Sequence, residues 1–116
     1  MNKSVVFDLK EIPVFPFDER EKNVFFSGDG FKTRIIVLPA GGSMPECPMR
    51  TAVMFYVISG EVEVTVDGEV RHLGVGHCLI GEPGRYSMQT SVGARMLGIQ
   101  INAASQAKKY DRKTLG

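Results

Sequence analysis

Two sulphur-bearing side chains, Cys47 and Met49, stand two residues apart and are the pair in this sequence most suited to hold a soft metal ion. On a β-strand, residues two apart point to the same side, so both sulphur atoms would face one site. A thiolate and a thioether together select Cu(I) over harder ions. The alternative is that both side chains fill a hydrophobic core, as cysteine and methionine commonly do.

The two histidines of the chain, His72 and His77, are its natural candidates for acid–base chemistry. His72 lies on the return strand of a predicted hairpin, and His77 follows a glycine in a predicted turn. We therefore expect both histidines at surface or turn positions. Acid–base catalysis inside the fold would need His77 or Glu82 to turn inward.

The elements that must position these residues are β-strands. Residues 61–66 alternate valine with Glu, Glu and Thr, which places three valines on one side of a strand. Asp67-Gly68 follows and predicts a type I′ hairpin turn, because that turn needs positive φ at both central residues. The predicted strands span residues 4–9, 24–26, 31–38, 53–59, 61–66, 69–73, 78–80, 85–90 and 94–101. Many short strands separated by turns predict an all-β sandwich or barrel.

Composition limits the class of partner. The chain has 116 residues, 43% of them hydrophobic, and a net charge of +1, which predicts one globular domain without affinity for nucleic acid or membranes. The apolar run near the N-terminus is too short for a signal-peptide core, and no run approaches the length of a membrane helix. With Cys47 and Cys78 as reduced thiols, a cytoplasmic location is expected.

From Gly41 onward the sequence resembles the cupin superfamily. The first cupin motif is a glycine, five residues, His-x-His, three or four residues, Glu, six residues and a glycine, and the same spacing here falls on Gly41, Cys47, Met49, Val53 and Gly60. The second motif is a glycine, five residues, Pro-x-Gly, two residues and His, and it falls on Gly76, Glu82, Gly84 and Ser87. The resemblance implies a jelly-roll barrel, also called a double-stranded β-helix, of the RmlC-like kind. Along the chain we expect an N-terminal arm with edge strands over 1–30, the barrel over 31–102 and a polar, basic tail over 103–116.

The family usually holds Fe, Mn, Ni or Zn with two His, one Glu and a third His. Here those positions carry Cys47, Met49, Val53 and Ser87. Imidazole and carboxylate suit these ions, whereas a thioether binds them poorly and valine donates nothing. The resemblance therefore predicts a cupin without a metal cofactor.

Strand alternation predicts a ligand pocket inside the barrel, with an apolar, sulphur-rich wall lined by Cys47, Met49, Val53, Phe55, Ser87 and Gln89. Arg34 and Arg85 are candidates to anchor an anion, but the pattern does not fix which face either takes. The favoured function is a metal-free small-molecule-binding or regulatory module. The alternatives are a metal-free isomerase or epimerase working by acid–base chemistry, and a copper site at Cys47 and Met49.

We also expect a twofold homodimer. Residues 4–17 contain two apolar clusters, Val5-Val6-Phe7 and Val14-Phe15-Pro16-Phe17. Such a segment would pack on the partner or cover an open sheet edge, and C₂ is the commonest closed symmetry.

Overall fold

Alternating apolar residues build nine strands in residues 3–101, the part of the chain described by the structure, a computed structural model. Five strands form one antiparallel sheet in the order β1-β2-β9-β4-β7, and four form a second in the order β3-β8-β5-β6. The architecture confirms the predicted all-β jelly-roll barrel. The strands are β1 Val24–Gly28, β2 Phe31–Leu38, β3 Ser43–Met49, β4 Val53–Gly60, β5 Val62–Val66, β6 Glu69–Leu73, β7 Cys78–Gly81, β8 Gly84–Gln89 and β9 Ala94–Ile101.

The hairpin β5–β6 has the predicted geometry. Val62 and Val64 are buried in the core and Val66 packs against its margin, so the three valines share the inner face. Asp67 and Gly68 have φ of 48° and 85°, the positive values that a type I′ turn requires. Local sequence therefore sets both the register of this hairpin and the side that it buries.

The core lies between the facing sheets. Along the strands every second side chain points into this core, as expected for two sheets that each bury one face. The buried cluster comprises Leu38, Val53, Phe55, Val57, Val62, Val64, Leu73, Tyr86, Met88, Ala94 and Met96.

Two local predictions differ from the structure. Residues 4–8 carry no strand, and the chain turns at Asp8, whose carbonyl accepts from the backbone N–H groups of Glu11 and Ile12. Strand β3 lies outside the predicted strand ranges, although the sulphur-pair prediction required a strand at Cys47 and Met49; it contains Pro45 and Pro48, which an edge strand tolerates. The charged run 18–22 lies in a short 3₁₀ segment, Phe17–Asn23. The polar, basic tail expected over 103–116 lies outside the described residues.

The N-terminal segment is attached to the protein by side-chain hydrogen bonds. Buried Asn23 accepts from the N–H of Phe15 at 2.8 Å and donates to its carbonyl at 3.1 Å. Arg95 on β9 donates to the carbonyls of Leu9 and Ile12, both at 2.8 Å. Since neighbouring Met96 points into the core, Arg95 points outward, and the segment therefore lies over the outer face of the five-stranded sheet. Within residues 3–101, no helix has the length and apolar character needed to span a bilayer.

Candidate functional site

The centre of the barrel is filled by side chains. Val53 and Phe55 of β4 and Tyr86 of β8 are all buried in one cluster, and the rings of Phe55 and Tyr86 meet edge to face with centroids 6.0 Å apart. Val53 and Phe55 do point inward as predicted. They form a closed apolar floor rather than the wall of a deep cavity, so any interior site must lie above them at the barrel mouth.

Tyr86 is the polar group of this floor. Its side chain is 0% exposed, and its hydroxyl donates to the backbone carbonyl of Glu82 at 2.7 Å. Gly81 leaves the space that this hydroxyl occupies, because a Cβ at position 81 would overlap it. Burial raises the pKa of the Tyr86 hydroxyl, and the nearby carboxylates of Asp67 and Glu82 raise it further. The phenol therefore stays neutral over the ordinary pH range.

Cys47 and Met49 share the inner face of β3, as predicted. They pair in register with Tyr86 and Gly84 of β8, and directly opposed residues of a ladder point to the same side. Cys47 is exposed at the mouth, whereas Met49 packs against the core. The Met49 sulphur accepts a long contact from the Gln100 side-chain amide at 4.0 Å.

The predicted inward orientation of Ser87 and Gln89 is wrong. On β8 the buried side chains are Tyr86 and Met88, so Ser87 and Gln89 face outward. Gln89 Nε2 donates to Glu63 Oε1 at 3.0 Å on the outer face of the four-stranded sheet. The signal was present in the sequence, because Tyr86 and Met88 are the large apolar residues of an alternating strand.

Gly84 takes the inward position that Ser87 was expected to fill. It lies directly opposite Met49, and it shares the parity of Tyr86. A Cβ at Gly84 would stand 2.7 Å from Asp67 Oδ2, so the Asp67 carboxylate lies beside this position. Asp67 is held there because its Oδ1 accepts from the Arg85 N–H at 2.9 Å.

The residues at the motif positions do not fit the metals of the family. Val53 offers no donor atom, Ser87 faces outward, and the Met49 thioether is a poor ligand for Fe, Mn, Ni or Zn. Across residues 3–101, no three His, Cys, Asp or Glu side chains are grouped so that they could hold a metal ion. One observation still supports the copper alternative: the Cys47 and Met49 side chains lie on the same face of β3.

Arg34 is the polar residue of the mouth whose orientation the sequence left open. It pairs with Gly98, which in turn pairs with Phe55 of the core, so all three belong to the inner face. The Arg34 side chain is 17% exposed, and its Nη2 donates to Gln100 Oε1 at 3.3 Å. Arg85 takes the opposite face of the other sheet and bonds Glu46 at 2.9 Å.

Both histidines lie away from this mouth. They line an open cleft of about 750 Å³ that includes outward-facing Glu63 and Gln89. His72 Nδ1 is 3.4 Å from Glu63 Oε2, and His77 Nδ1 accepts from the Gly74 N–H at 2.9 Å. In the described part of the chain, neither His77 nor Glu82 hydrogen-bonds Cys47 or Ser87, so the arrangement required for acid–base chemistry in the barrel is not formed.

Known proteins agree with this architecture. A protein-family model for the cupin domain matches residues 34–87, the stretch that runs from β2 into β8 and contains both motifs. The chain carries a cupin domain over this stretch and has the cupin fold. Comparison with curated proteins gave no match.

Solved cupins share the fold at low sequence identity. The cupin domain of Schizosaccharomyces pombe Cnp3 is 18% identical, with a TM-score of 0.73 over 90% of this chain and 74% of that chain. An uncharacterised Klebsiella pneumoniae protein with a double-stranded β-helix domain is 20% identical, with a TM-score of 0.73 over 89% of this chain and 94% of that chain. A cupin protein from Bacteroides fragilis is 27% identical, with a TM-score of 0.61 over 75% of this chain and 76% of that chain.

Proposed function

We propose that this cupin is a metal-free small-molecule-binding or regulatory module whose ligand occupies the mouth of the barrel. The proposal rests on the inner face of β3 and β8 at the barrel mouth. Exposed Cys47, half-buried Met49 and side-chain-free Gly84 lie side by side there, above the packed Phe55 and Tyr86. An apolar concave surface with few polar groups is the usual setting for a small ligand.

The closed floor restricts the ligand to a small molecule. Because Val53, Phe55 and Tyr86 fill the interior, a guest inside the barrel would have to sit above them. Burying an apolar group against this floor would contribute about 25 cal/mol per Å² of apolar surface removed from water, before entropy costs. We therefore expect weak to moderate affinity for the isolated apolar contact and a need for one polar anchor.

We further propose that the protein acts as a homodimer in the cytoplasm. The outer face of the five-stranded sheet carries Ile80 at 78% exposure, with Met54 and Ile99 in register beside it. Exposed Val6 and Val75 border the same face at a cleft that also includes Tyr56 and Ile58. An exposed apolar patch of this kind is typical of an interface.

A second copy of the chain suits this face better than the chain's own C-terminal residues. Residues 102–116 contain only two large apolar side chains, Tyr110 and Leu115. The rim of the cleft carries one acid and one base, Asp8 and Lys10, which would meet with opposite charges across a twofold axis.

The ligand site is tested by amide-resolved NMR with a mixture of small aromatic and aliphatic fragments. We expect shifts at Met49, Gly84 and Gln100, and loss of those shifts in Cys47→Trp, which fills the mouth. Ser87→Trp is the matched control, because it adds the same side chain to the outer face of the neighbouring strand. Shifts confined to the cleft around Glu63 and His72, or loss of binding in the control alone, would reject the barrel mouth.

Metal content is tested on the same protein. After purification without chelators and dialysis, plasma emission spectrometry should find no stoichiometric Fe, Mn, Ni or Zn. Near one equivalent of any of these, lost in Cys47→Ser, would contradict the proposal. One equivalent of copper, lost in Met49→Ala, would replace it with the soft-metal site.

A further inference from the structure

We infer that the barrel mouth recognises a small monocarboxylate through the Arg34 guanidinium, an inference that rests on the proposed function and adds the chemical class of its ligand. The position of Arg34, its unoccupied donors and the charges that face it support this ligand class.

Two neighbours, Gly98 and the ring of Phe55, place Arg34 on the inner face. A Cβ added at Gly98 would stand 3.5 Å from Arg34 Cγ and 3.5 Å from Phe55 Cε1. The aliphatic stem of Arg34 therefore passes over Gly98 beside the ring of Phe55, and its polar end extends toward the mouth. Gln100, two residues along β9 on the same face, is where the guanidinium makes its hydrogen bond.

The guanidinium keeps donors available for a ligand. Arginine has five N–H donors, and within residues 3–101 only Nη2 has a partner, Gln100 Oε1 at 3.3 Å and Glu21 Oε2 at 3.8 Å. Glu21 is a weak counterion, because its side chain is 77% exposed and the contact lies at the limit of an ion pair. An incoming carboxylate can displace Glu21 into solvent and take a paired, charge-assisted contact with the planar guanidinium.

The surrounding charges favour a single negative charge on the ligand. Lys32 pairs with Gln100 and shares the inner face with Arg34, so the five-stranded side of the mouth is basic. The four-stranded side holds the Asp67 carboxylate beside Gly84. A dianion such as a phosphate monoester would meet that carboxylate, whereas a monocarboxylate can direct its charge to Arg34 and its apolar body to the floor at Phe55.

The experiment compares acids with their own amides. Benzoate and hexanoate are titrated beside benzamide and hexanamide, with the Arg34 Nε–H signal and the amides of Met49, Gly84 and Gln100 followed by NMR. We expect the acids to bind about 10- to 100-fold more tightly than the amides, which is the effect of one hydrogen-bonded ion contact. Inorganic phosphate should bind more weakly than benzoate.

Arg34→Met is the test variant, because it keeps an apolar stem over Gly98 and removes the charge. It should bind the acids no better than the amides, while Arg34→Lys should recover part of the preference. Arg85→Met is the matched control, since Arg85 faces outward and bonds Glu46. Equal binding of acids and amides, or equal loss in Arg34→Met and Arg85→Met, would overturn the carboxylate anchor. If the amides still shift Met49 and Gly84 in that case, the proposed function survives; if no fragment shifts them, both fail.

Discussion

Tyr86 shows how one residue closes the barrel and also makes its stability depend on pH. Its hydroxyl is buried yet satisfied, since it donates to the Glu82 carbonyl. The folded protein favours the neutral phenol, because burial and the carboxylates of Asp67 and Glu82 oppose the phenolate. The floor therefore combines an apolar ring with a group that titrates only in alkaline solution.

We predict that Tyr86→Phe removes an alkaline loss of stability. The pKa of Tyr86 is raised above 10.0 in the folded state. Below the unfolded pKa both states keep the proton and no stability is lost. As the pH rises through the folded pKa, the unfolded state has already released its proton and the folded state becomes destabilised.

Urea unfolding at about pH 9 and about pH 11 measures this effect. Wild-type protein should lose more free energy of unfolding between the two pH values than Tyr86→Phe does. The variant should be less stable than wild type at the lower pH by about 0.5–1.5 kcal/mol, the contribution of one hydrogen bond. Tyr56→Phe is the control, since Tyr56 is partly exposed on the outer face. An identical pH dependence in Tyr86→Phe and wild type would contradict the prediction.

At the scale of the element, the corner between β4 and β5 requires glycine at position 60 for two reasons: its φ is positive, and there is no space for a Cβ. Gly60 has φ of 79°, and Gly41 at the start of the same motif has φ of 78°. A side chain at Gly41 would meet nothing within 4 Å, whereas a Cβ at Gly60 would overlap the Gly93 carbonyl. That carbonyl also accepts from the Glu61 N–H at 3.1 Å, so it cannot move without losing a bond.

We predict that Gly60→Ala is markedly more destabilising than Gly41→Ala. Both variants carry the same left-handed backbone cost of about 1–2 kcal/mol. Only Gly60→Ala adds a clash with rigid backbone, which should cost at least about 1–3 kcal/mol more. Thermal unfolding of the two variants side by side gives the difference directly. Equal melting temperatures would show that the corner relaxes and that only the φ value matters.

The sequence predicts the strands better than it predicts the site, because the two depend on different signals. Val62, Val64 and Val66 alternate cleanly and end at a turn dipeptide, so local pattern alone fixes their face. Both faces of β2 carry apolar residues, Ile35 and Ile36 among them, and alternation therefore cannot orient Arg34. Only pairing with Gly98 on β9, far along the chain, places Arg34 at the mouth.

Strand β3 and the N-terminal segment show the same limit. Prolines hide β3 from a propensity argument, since its status as an edge strand follows from the sheet order. Val5-Val6-Phe7 has the composition of a strand, but its aromatic side chain packs against Phe25 with ring centroids 4.9 Å apart while its backbone joins no ladder. Tertiary contacts decide both cases.

At the scale of the whole molecule, the outer faces of the two sheets differ in character. The outer face of the four-stranded sheet carries the polar side chains of Glu63, Arg85 and Gln89, which are readily solvated. The five-stranded sheet presents Ile80 and Tyr56 around the cleft beside the N-terminal segment. This asymmetry is the basis of the proposed homodimer.

We predict that Ile80→Glu weakens self-association at least about tenfold, because it would bury a carboxylate in an apolar interface. Light scattering over a concentration series measures the dimer dissociation constant. Val70→Glu is the matched control, since Val70 is also exposed but belongs to β6 of the other sheet. A wild-type monomer at micromolar concentration would reject the interface, and equal weakening by the control would place it elsewhere.

The position of β9 has a consequence for biosynthesis. It is the last strand of the described chain, yet it lies at the centre of the five-stranded sheet, between β2 and β4. A nascent chain is made from its N-terminus, so β2 and β4 leave the ribosome without the strand that joins them. Until residue 101 has emerged, both expose unpaired backbone edges to other chains and to chaperones. Folding of this cupin is therefore completed after almost the whole barrel has been translated, and a chain that stops before Ala94 has no route to the native sheet.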